Sequence, residues 1–207
     1  MNEFDIKAAG WDDNPMHVQR SVAIAAKILE SIPVEPSWRA LEYGAGTGIT
    51  SFLLRDHLKE IIMMDSSPEM VKVMERKIRE EKVYNLKPLL HDLVKDEWNE
   101  QKFNLIFTQM TLHHVEKIGL LLESFRNLLI NGGFIAIADL YPEDGTFHGP
   151  GFTGHRGFDP AALSGTIEKT GFKEIMYKPC FTINRKISDS ETRQYDLFLL
   201  TAVLKLN

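Results

Sequence analysis

Residues 41–48 read LEYGAGTG, and this stretch decides how the chain folds. Gly44, Gly46 and Gly48 occupy every second position after a short run that leans apolar. Because glycine has no Cβ, glycines at the end of a strand let the backbone turn tightly and approach a ligand closely. The stretch therefore predicts a strand that leads into the binding site of a nucleotide-like cofactor.

The spacing of these glycines differs from that of dinucleotide-binding proteins. Their pattern, Gly-x-Gly-x-x-Gly, needs a third glycine at the position that Ile49 fills here. Glu42 stands two residues before the first glycine, where a carboxylate would repel a pyrophosphate but attract a cation such as an α-ammonium group. The pattern Glu-x-Gly-x-Gly-x-Gly resembles the first motif of the class I S-adenosylmethionine-dependent methyltransferases.

The composition sets limits on the class of protein. The chain has 207 residues, of which 43% are hydrophobic, and a formal net charge of −5. This predicts one main domain with ample core and without the clustered basic residues of a nucleic-acid-binding surface. The single cysteine, Cys180, excludes an internal disulfide, and no run approaches the roughly 20 apolar residues of a membrane span. We therefore expect a soluble cytoplasmic protein with no nucleic-acid partner and no membrane insertion.

From about residue 39 onward, strand-like and helix-like segments alternate, which predicts a doubly wound α/β sheet. The predicted strands cover residues 38–43, 60–65, 86–92, 103–110 and 134–141, and the predicted helices cover 50–58, 68–81, 118–130 and 159–170. Two further β runs, residues 175–184 and 195–205, have no helical pattern between them. They should therefore pair as an antiparallel hairpin.

That ending fits the resemblance better than a plain dinucleotide fold does. The methyltransferase sheet is Rossmann-like, with seven mostly parallel strands in the order 3-2-1-4-5-7-6 and an antiparallel last strand. The resemblance implies this sheet for residues 38–207. Residues 1–37 contain FDIKAAGWDDNP followed by a predicted helix over 16–31. A similar segment caps the cofactor pocket of small-molecule methyltransferases, so we expect an N-terminal helical cap from which Trp11 and Asp12 contact cofactor or substrate.

Acids end three consecutive predicted strands, at the edge where an open parallel sheet binds its ligand. They are Glu42, Asp65 and Asp92. An acid about 20 residues after a glycine turn accepts hydrogen bonds from ribose hydroxyls, and Asp65 has this spacing. The resemblance assigns Asp92 and the adjacent residue to the adenine, and the glycines with the carbonyl of Gln109 to the methionine half. The predicted residues for S-adenosylmethionine are Glu42, Gly44, Ala45, Gly46, Asp65, Ser66, Met70, Asp92, Leu93 and Gln109.

The acceptor side is predicted from two histidine-bearing segments. Residues 111–115 read TLHHV, in place of the Asn/Asp-Pro-Pro-Tyr/Phe box of methyltransferases that modify nucleic-acid amino groups. This is similar to the small-molecule methyltransferases, including those of ubiquinone and menaquinone synthesis. Residues 141–158 form a long loop rich in glycine and histidine, which should overhang the pocket as a lid or binding loop.

His113, His148 and His155 are the candidates for substrate contact or for a base, with Arg156 as a further anion-binding candidate. We predict no resident metal, although His148 and His155 could join His113 around one.

The resemblance implies a methyltransferase that moves a methyl group from S-adenosylmethionine to a small molecule by in-line displacement. Two alternatives stay open at this point. A catalytically silent S-adenosylmethionine-binding module would keep the pocket but methylate nothing. A nicotinamide-dependent oxidoreductase would share the glycine turn and Asp65, but not Glu42, Ile49 or the terminal hairpin.

Overall fold

The computed structural model describes residues 3–98 and 102–206. Within these residues the chain forms one sheet of seven strands in the order β3-β2-β1-β4-β5-β7-β6. The strands are β1 Arg39–Tyr43, β2 Glu60–Asp65, β3 Leu86–Leu90, β4 Phe103–Gln109, β5 Leu129–Leu140, β6 Phe172–Lys186 and β7 Thr192–Leu204. The α-helices are α1 Glu3–Lys7, α2 Pro15–Ser31, α3 Ile49–Leu54, α4 Pro68–Glu81, α5 Ile118–Leu128 and α6 Pro160–Lys169.

Five strands of the sheet run parallel. β1 pairs in parallel with β2 and β4, and β3 and β5 extend the sheet in the same direction. β7 lies antiparallel between β5 and β6. The predicted strand order and the antiparallel ending are both confirmed. Because the parallel strands point the same way, the carboxyl ends of β1 to β4 meet at one edge, where open α/β sheets bind ligands.

Helices cover the sheet on both sides, which explains why its parallel strands are apolar without alternation. In β2, for example, Ile61, Met63 and Met64 are all fully buried. Residues of α2, α3 and α4 pack in one core layer, and residues of α5 and α6 pack in the other. The doubly wound architecture follows from this arrangement.

Local sequence signals set the ends of α4. The Ser67 hydroxyl accepts a hydrogen bond from the Met70 amide at 3.2 Å, and Pro68 occupies the first turn. Both residues favour the start of a helix. The serine hydroxyl accepts a hydrogen bond from a backbone N–H that would otherwise be unpaired, and proline has no backbone N–H that could be left unpaired. The helix ends at Glu81, and the next residue, Lys82, has a left-handed backbone with a φ of 54°. The bounds of α4 and of β2 agree with the predicted ranges.

The connection between α5 and β5 differs from the prediction. The predicted helix over 118–130 ends at Leu128, and the strand expected from residue 134 begins at Leu129 instead. Leu129 is buried and pairs with Phe103 of β4, with a register shift before the next pair. Pairing with a neighbouring strand therefore overrides the turn signal of Asn131-Gly132-Gly133, and the glycines lie within an irregular stretch of β5.

The N-terminal segment packs on the sheet and also reaches its ligand-binding edge. Ile24 and Ile28 of α2 belong to the same core layer as β1. A 3-10 helix, Ala8–Asp13, connects α1 to α2 and lies against α4. Among the described residues, no helix is both long enough and apolar enough to cross a membrane.

Candidate functional site

A cavity of about 870 Å³ lies at the carboxyl edge of the parallel strands. The N-terminal segment, the glycine turn, the ends of β2 and β4, the loop after β5 and the far end of β6 all contribute to its walls. Eight of the predicted cofactor residues line it, namely Gly44, Ala45, Gly46, Asp65, Ser66, Met70, Asp92 and Gln109. The structure therefore brings these eight together around one space.

The glycine turn adopts a backbone that other residues rarely reach. Gly44, Gly46 and Gly48 have φ angles of 68°, 57° and 78°. A Cβ on Gly44 would collide with the side chain of Thr111, whereas a Cβ on Gly46 would have the Trp11 indole nitrogen as its nearest neighbour, at 3.9 Å. Gly44 is thus needed for packing against the segment after β4, and Gly46 keeps the floor of the cavity open under the N-terminal segment.

Asp65 is fixed by the backbone of the turns on either side of it. Its Oδ2 accepts a hydrogen bond from the Gly46 amide at 2.7 Å, and its Oδ1 accepts one from the Ser67 amide at 2.8 Å. Burial raises the pKa of Asp65, and these amides act in the opposite direction. The carboxylate is therefore held in one orientation beside the glycine turn, with lone pairs left for hydroxyl donors.

Asp92 lies farther along the edge, after β3. Its Oδ1 accepts hydrogen bonds from the Tyr43 hydroxyl and the Val94 amide, both at 3.0 Å, and Lys95 pairs with Oδ2 at 3.0 Å. Partial burial acts to raise the pKa of Asp92, but these three donors together lower it. Asp92 is therefore a carboxylate at the ligand edge, with its position set by β1 and by its own turn.

Two predicted cofactor residues lie behind the cavity wall. Glu42 is 0% exposed and its Oε2 accepts from the backbone amide and the hydroxyl of Ser51, at the start of α3. Its Oε1 has no partner among the described residues. Burial raises the pKa of Glu42 to about 8. The side chain of Leu93 packs into the core layer of α5 and α6.

Polar contacts attach the N-terminal segment to the glycine turn and to α4. Asp12 accepts from the Thr47 hydroxyl and pairs with Lys77 of α4 at 2.7 Å, and Lys77 also donates to the Thr47 carbonyl at 3.0 Å. Ser67 donates to Asp5 at 2.6 Å. The predicted contact residue Trp11 lines the cavity, whereas Asp12 joins the segment to the domain.

Three histidines gather in the wall of the cavity, in a region that we call its histidine end. His113 and His114 belong to a 3-10 helix, Leu112–His114, and His148 comes from the loop after β5. The Nδ1 of His113 lies 2.6 Å from Oδ1 of Asp139, and both side chains are almost fully buried. Burial, followed by the charge of neighbouring histidines, lowers the pKa of His114 and of His148 to about 4. These two rings are therefore neutral at physiological pH.

The other predicted acceptor-side residues lie outside the cavity wall. His155 contacts the Val115 carbonyl through Nε2 at 3.1 Å, and its amide donates to the His113 carbonyl at 2.8 Å. Arg156 packs beside Gly145. Both residues attach the loop after β5 to neighbouring backbone, so His148 is the member of that loop that reaches the site, with Phe147 beside it.

The sequence reasoning missed three residues of this end. Arg20 of α2 lines the cavity although it is 6% exposed, and its Nε has no partner among the described residues. Burial lowers its pKa to about 10, which leaves it charged at neutral pH. His114 and Asp139 were also missed. The available signals were an acid inside the apolar run of β5 and the doubling of histidine in residues 113–114.

Comparisons with known proteins find similar methyltransferases. The family model described as "Methyltransferase domain" matches residues 40–133. An uncharacterized methyltransferase of Schizosaccharomyces pombe is 26% identical over 139 residues, which cover 59% of this chain and 49% of the relative. The chain thus spans about half the length of the curated relative it matches.

Solved structures share the fold at low identity. A methyltransferase in complex with the Trm112 activator of Haloferax volcanii has a TM-score of 0.78 and 18% identity, and the match covers 100% of this chain and 99% of that one. The N-methyltransferase NodS of Bradyrhizobium japonicum, in complex with S-adenosylhomocysteine, has a TM-score of 0.69 and 18% identity, with 93% and 89% covered. Residues 40–133 are thus similar to the methyltransferase domain, and the chain shares the fold of solved methyltransferases, one of them in complex with S-adenosylhomocysteine.

Proposed function

We propose that the protein binds S-adenosylmethionine in this cavity and transfers its methyl group to a small molecule. The observation that carries the proposal is that two chemically different groups of residues line one cavity. We call the glycine turn with Asp65 and Asp92 the cofactor end, and the histidines with Arg20 the acceptor end.

At the cofactor end, each group has a role that its chemistry supports. Asp65 accepts hydrogen bonds from the ribose hydroxyls, because its carboxylate is oriented by two amides and still has free lone pairs. Asp92 accepts from the adenine amino group farther along the edge. The methionine half lies over Gly44 and Gly46, where the backbone has no Cβ to block it.

Methyl transfer from a sulfonium requires alignment more than acid–base chemistry. The acceptor atom attacks the methyl carbon in line with the departing sulfur, and holding the two together supplies a large effective concentration. Trp11 and the N-terminal segment cover the glycine turn, so they help to exclude water from the reacting atoms. A base is needed only if the acceptor enters protonated.

The acceptor end favours a molecule with an anionic or hydrogen-bond-accepting group. Arg20 is charged, buried and without a partner for its Nε, which is costly unless a ligand supplies one. Aromatic side chains such as Phe147 provide apolar wall beside it. A small acceptor with both an apolar body and an oxygen-rich group fits this lining.

Calorimetry with S-adenosylhomocysteine tests the cofactor assignment. We expect one molecule to bind per chain, whereas the absence of heat at millimolar ligand would contradict the proposal. A thermal shift with NADH but none with S-adenosylhomocysteine would instead support an oxidoreductase.

Incubation with a labelled methyl donor and cell extract tests turnover. Transfer of label to a small-molecule fraction is the expected result. Cofactor binding with no labelled product in any fraction would indicate a silent binding module.

A further inference from the structure

The three histidines at the acceptor end have the arrangement of a metal-binding site. Each of His113, His114 and His148 offers one ring nitrogen, and these three nitrogens all lie within 4.8 Å of one another. The ring centroids are separated by 4.3 Å, 4.8 Å and 5.2 Å. Two of the residues are consecutive in the 3-10 helix and the third comes from the loop after β5, so the fold itself creates the cluster.

His113 is already oriented as a metal ligand. Its Nδ1 is paired with the buried carboxylate of Asp139, and Asp139 in turn accepts from the backbone amides of His113 and Leu140. The remaining nitrogen, Nε2, is buried and has no partner among the described residues, and the whole residue is 1% exposed. A carboxylate on one ring nitrogen and a metal on the other is the arrangement found for most metal-bound histidines.

His148 and His114 supply the other two ring nitrogens of the cluster. The Nε2 of His148 is buried and unpartnered within the described part of the chain, and its ring stacks on Phe152 at 3.9 Å. No side-chain hydrogen bond of His114 is found within those residues, and its ring meets Phe4 edge-on at 5.2 Å. Leaving buried polar nitrogens unpaired is costly, so a ligand that pairs with them is favoured.

We infer that His113, His114 and His148 bind one divalent transition-metal ion, of the class of Zn²⁺, at the acceptor end of the cavity. Neutral imidazoles suit zinc and its neighbours, whereas Mg²⁺ and Ca²⁺ require oxygen ligands that this cluster does not offer. Tetrahedral zinc with bonds of about 2.0–2.1 Å separates its ligands by about 3.4 Å. Closing from the present spacing requires ring movements of roughly 1.5 Å or less.

The ligand count also indicates what the metal would do. Three histidines leave the fourth position of a tetrahedral ion for a water molecule or for an oxygen of the acceptor. Since the cluster lines the cavity, that position would be accessible to the acceptor. The metal site does not depend on methyl transfer, because it is defined by the protein's own side chains and can be tested with the metal alone.

Titration of Zn²⁺ into the chelator-treated full chain, followed by calorimetry, tests the inference. We expect one ion per chain, with His114→Ala and His148→Ala each lowering the affinity at least 100-fold. Asp139→Asn should lower it about 10- to 100-fold, because Asp139 acts as a positioning residue behind His113. His57→Ala, at an exposed position away from the cavity, is the matched control and should bind as the parent does.

Two further measurements keep the outcomes distinguishable. Co²⁺ in place of Zn²⁺ should give the intense visible absorption of a four-coordinate site, and that absorption should disappear in His148→Ala. S-adenosylhomocysteine affinity should stay within about threefold in both alanine variants, which shows that they fold and that the cofactor end is separate. Absence of binding by the parent at millimolar Zn²⁺, or undiminished binding in both variants, would overturn the inference. Loss of binding in His155→Ala but not in His114→Ala would also overturn it, in favour of a different triad.

Discussion

Replacing Glu42 with glutamine should change how the stability of the protein depends on pH. Glu42 is 0% exposed, and burial raises the pKa of its carboxyl from an ordinary value of 4.5 to about 8 in the folded protein. At pH 7 the folded protein therefore keeps this carboxyl protonated, while the unfolded chain has it ionised. A group of this kind contributes its full stability below pH 4.5 and loses it as the pH rises towards 8.

The magnitude follows from the proton linkage. Between about pH 5 and pH 7 the folded state holds close to one more proton at this site than the unfolded state does, and this difference shrinks as the pH approaches 8. The free energy of unfolding should then fall by about 1.4 kcal/mol per pH unit on account of Glu42, or about 3 kcal/mol between pH 4.5 and 7. Glutamine cannot ionise, so Glu42→Gln removes this slope and leaves the contributions of all other groups unchanged.

Urea unfolding of the parent and of Glu42→Gln, at half-unit steps from pH 5 to pH 8, measures the difference directly. The variant should gain stability relative to the parent as the pH rises, by about 1.4 kcal/mol per unit. Glu123→Gln makes the same chemical change at an exposed position of α5 and should show no slope. A pH-independent difference for Glu42→Gln would refute the reasoning, because Glu42 would then be ionised in the folded protein.

Three further substitutions test the cofactor end. Asp65→Ala should weaken S-adenosylhomocysteine binding by about 1–3 kcal/mol, or roughly five- to 150-fold by calorimetry, and unchanged affinity would remove Asp65 from the ribose. Gly44→Ala should lower the melting temperature sharply, because the added Cβ would collide with Thr111. Gly46→Ala should lower the stability only by the roughly 1–2 kcal/mol of a left-handed backbone, and equal losses of stability in the two variants would contradict the predicted collision. Lys77→Met removes the half-buried ion pair with the N-terminal segment and should speed cofactor release severalfold in stopped flow; an unchanged rate would show that the segment is held by other contacts.

The sequence predicts the fold well where local signals and tertiary packing agree. β2 and α4 have the predicted bounds, because a continuous apolar run is followed by the cap of Ser67 and Pro68. The agreement fails at Asn131-Gly132-Gly133, where a turn signal lies in a stretch that pairs as a strand. Glycine permits a turn without requiring one, so the buried pairing of Leu129 with β4 decides the local structure there.

The candidate site is predictable only in part, for a related reason. Residues at the ends of consecutive parallel strands must lie at one edge, so Asp65 and Asp92 could be placed near the glycine turn from the topology alone. The same rule does not say which way a side chain faces. Glu42 comes from the end of β1, yet its carboxyl turns away from the cavity to accept from Ser51.

The acceptor end depends on contacts between segments that have no fixed relation in sequence. The 3-10 helix after β4 turns two consecutive histidines, His113 and His114, towards one space. The loop after β5 is held against that helix by the pairing of the His155 amide with the His113 carbonyl, and this brings His148 to the cluster. The contact of His155 with the helix thus determines that His148 is the loop residue that lies in the cluster. A change in the length of this loop would therefore change which side chain joins the histidine cluster, while the glycine turn, Asp65 and Asp92 stayed in place. Under the proposed function, the choice of acceptor would then vary independently of cofactor binding.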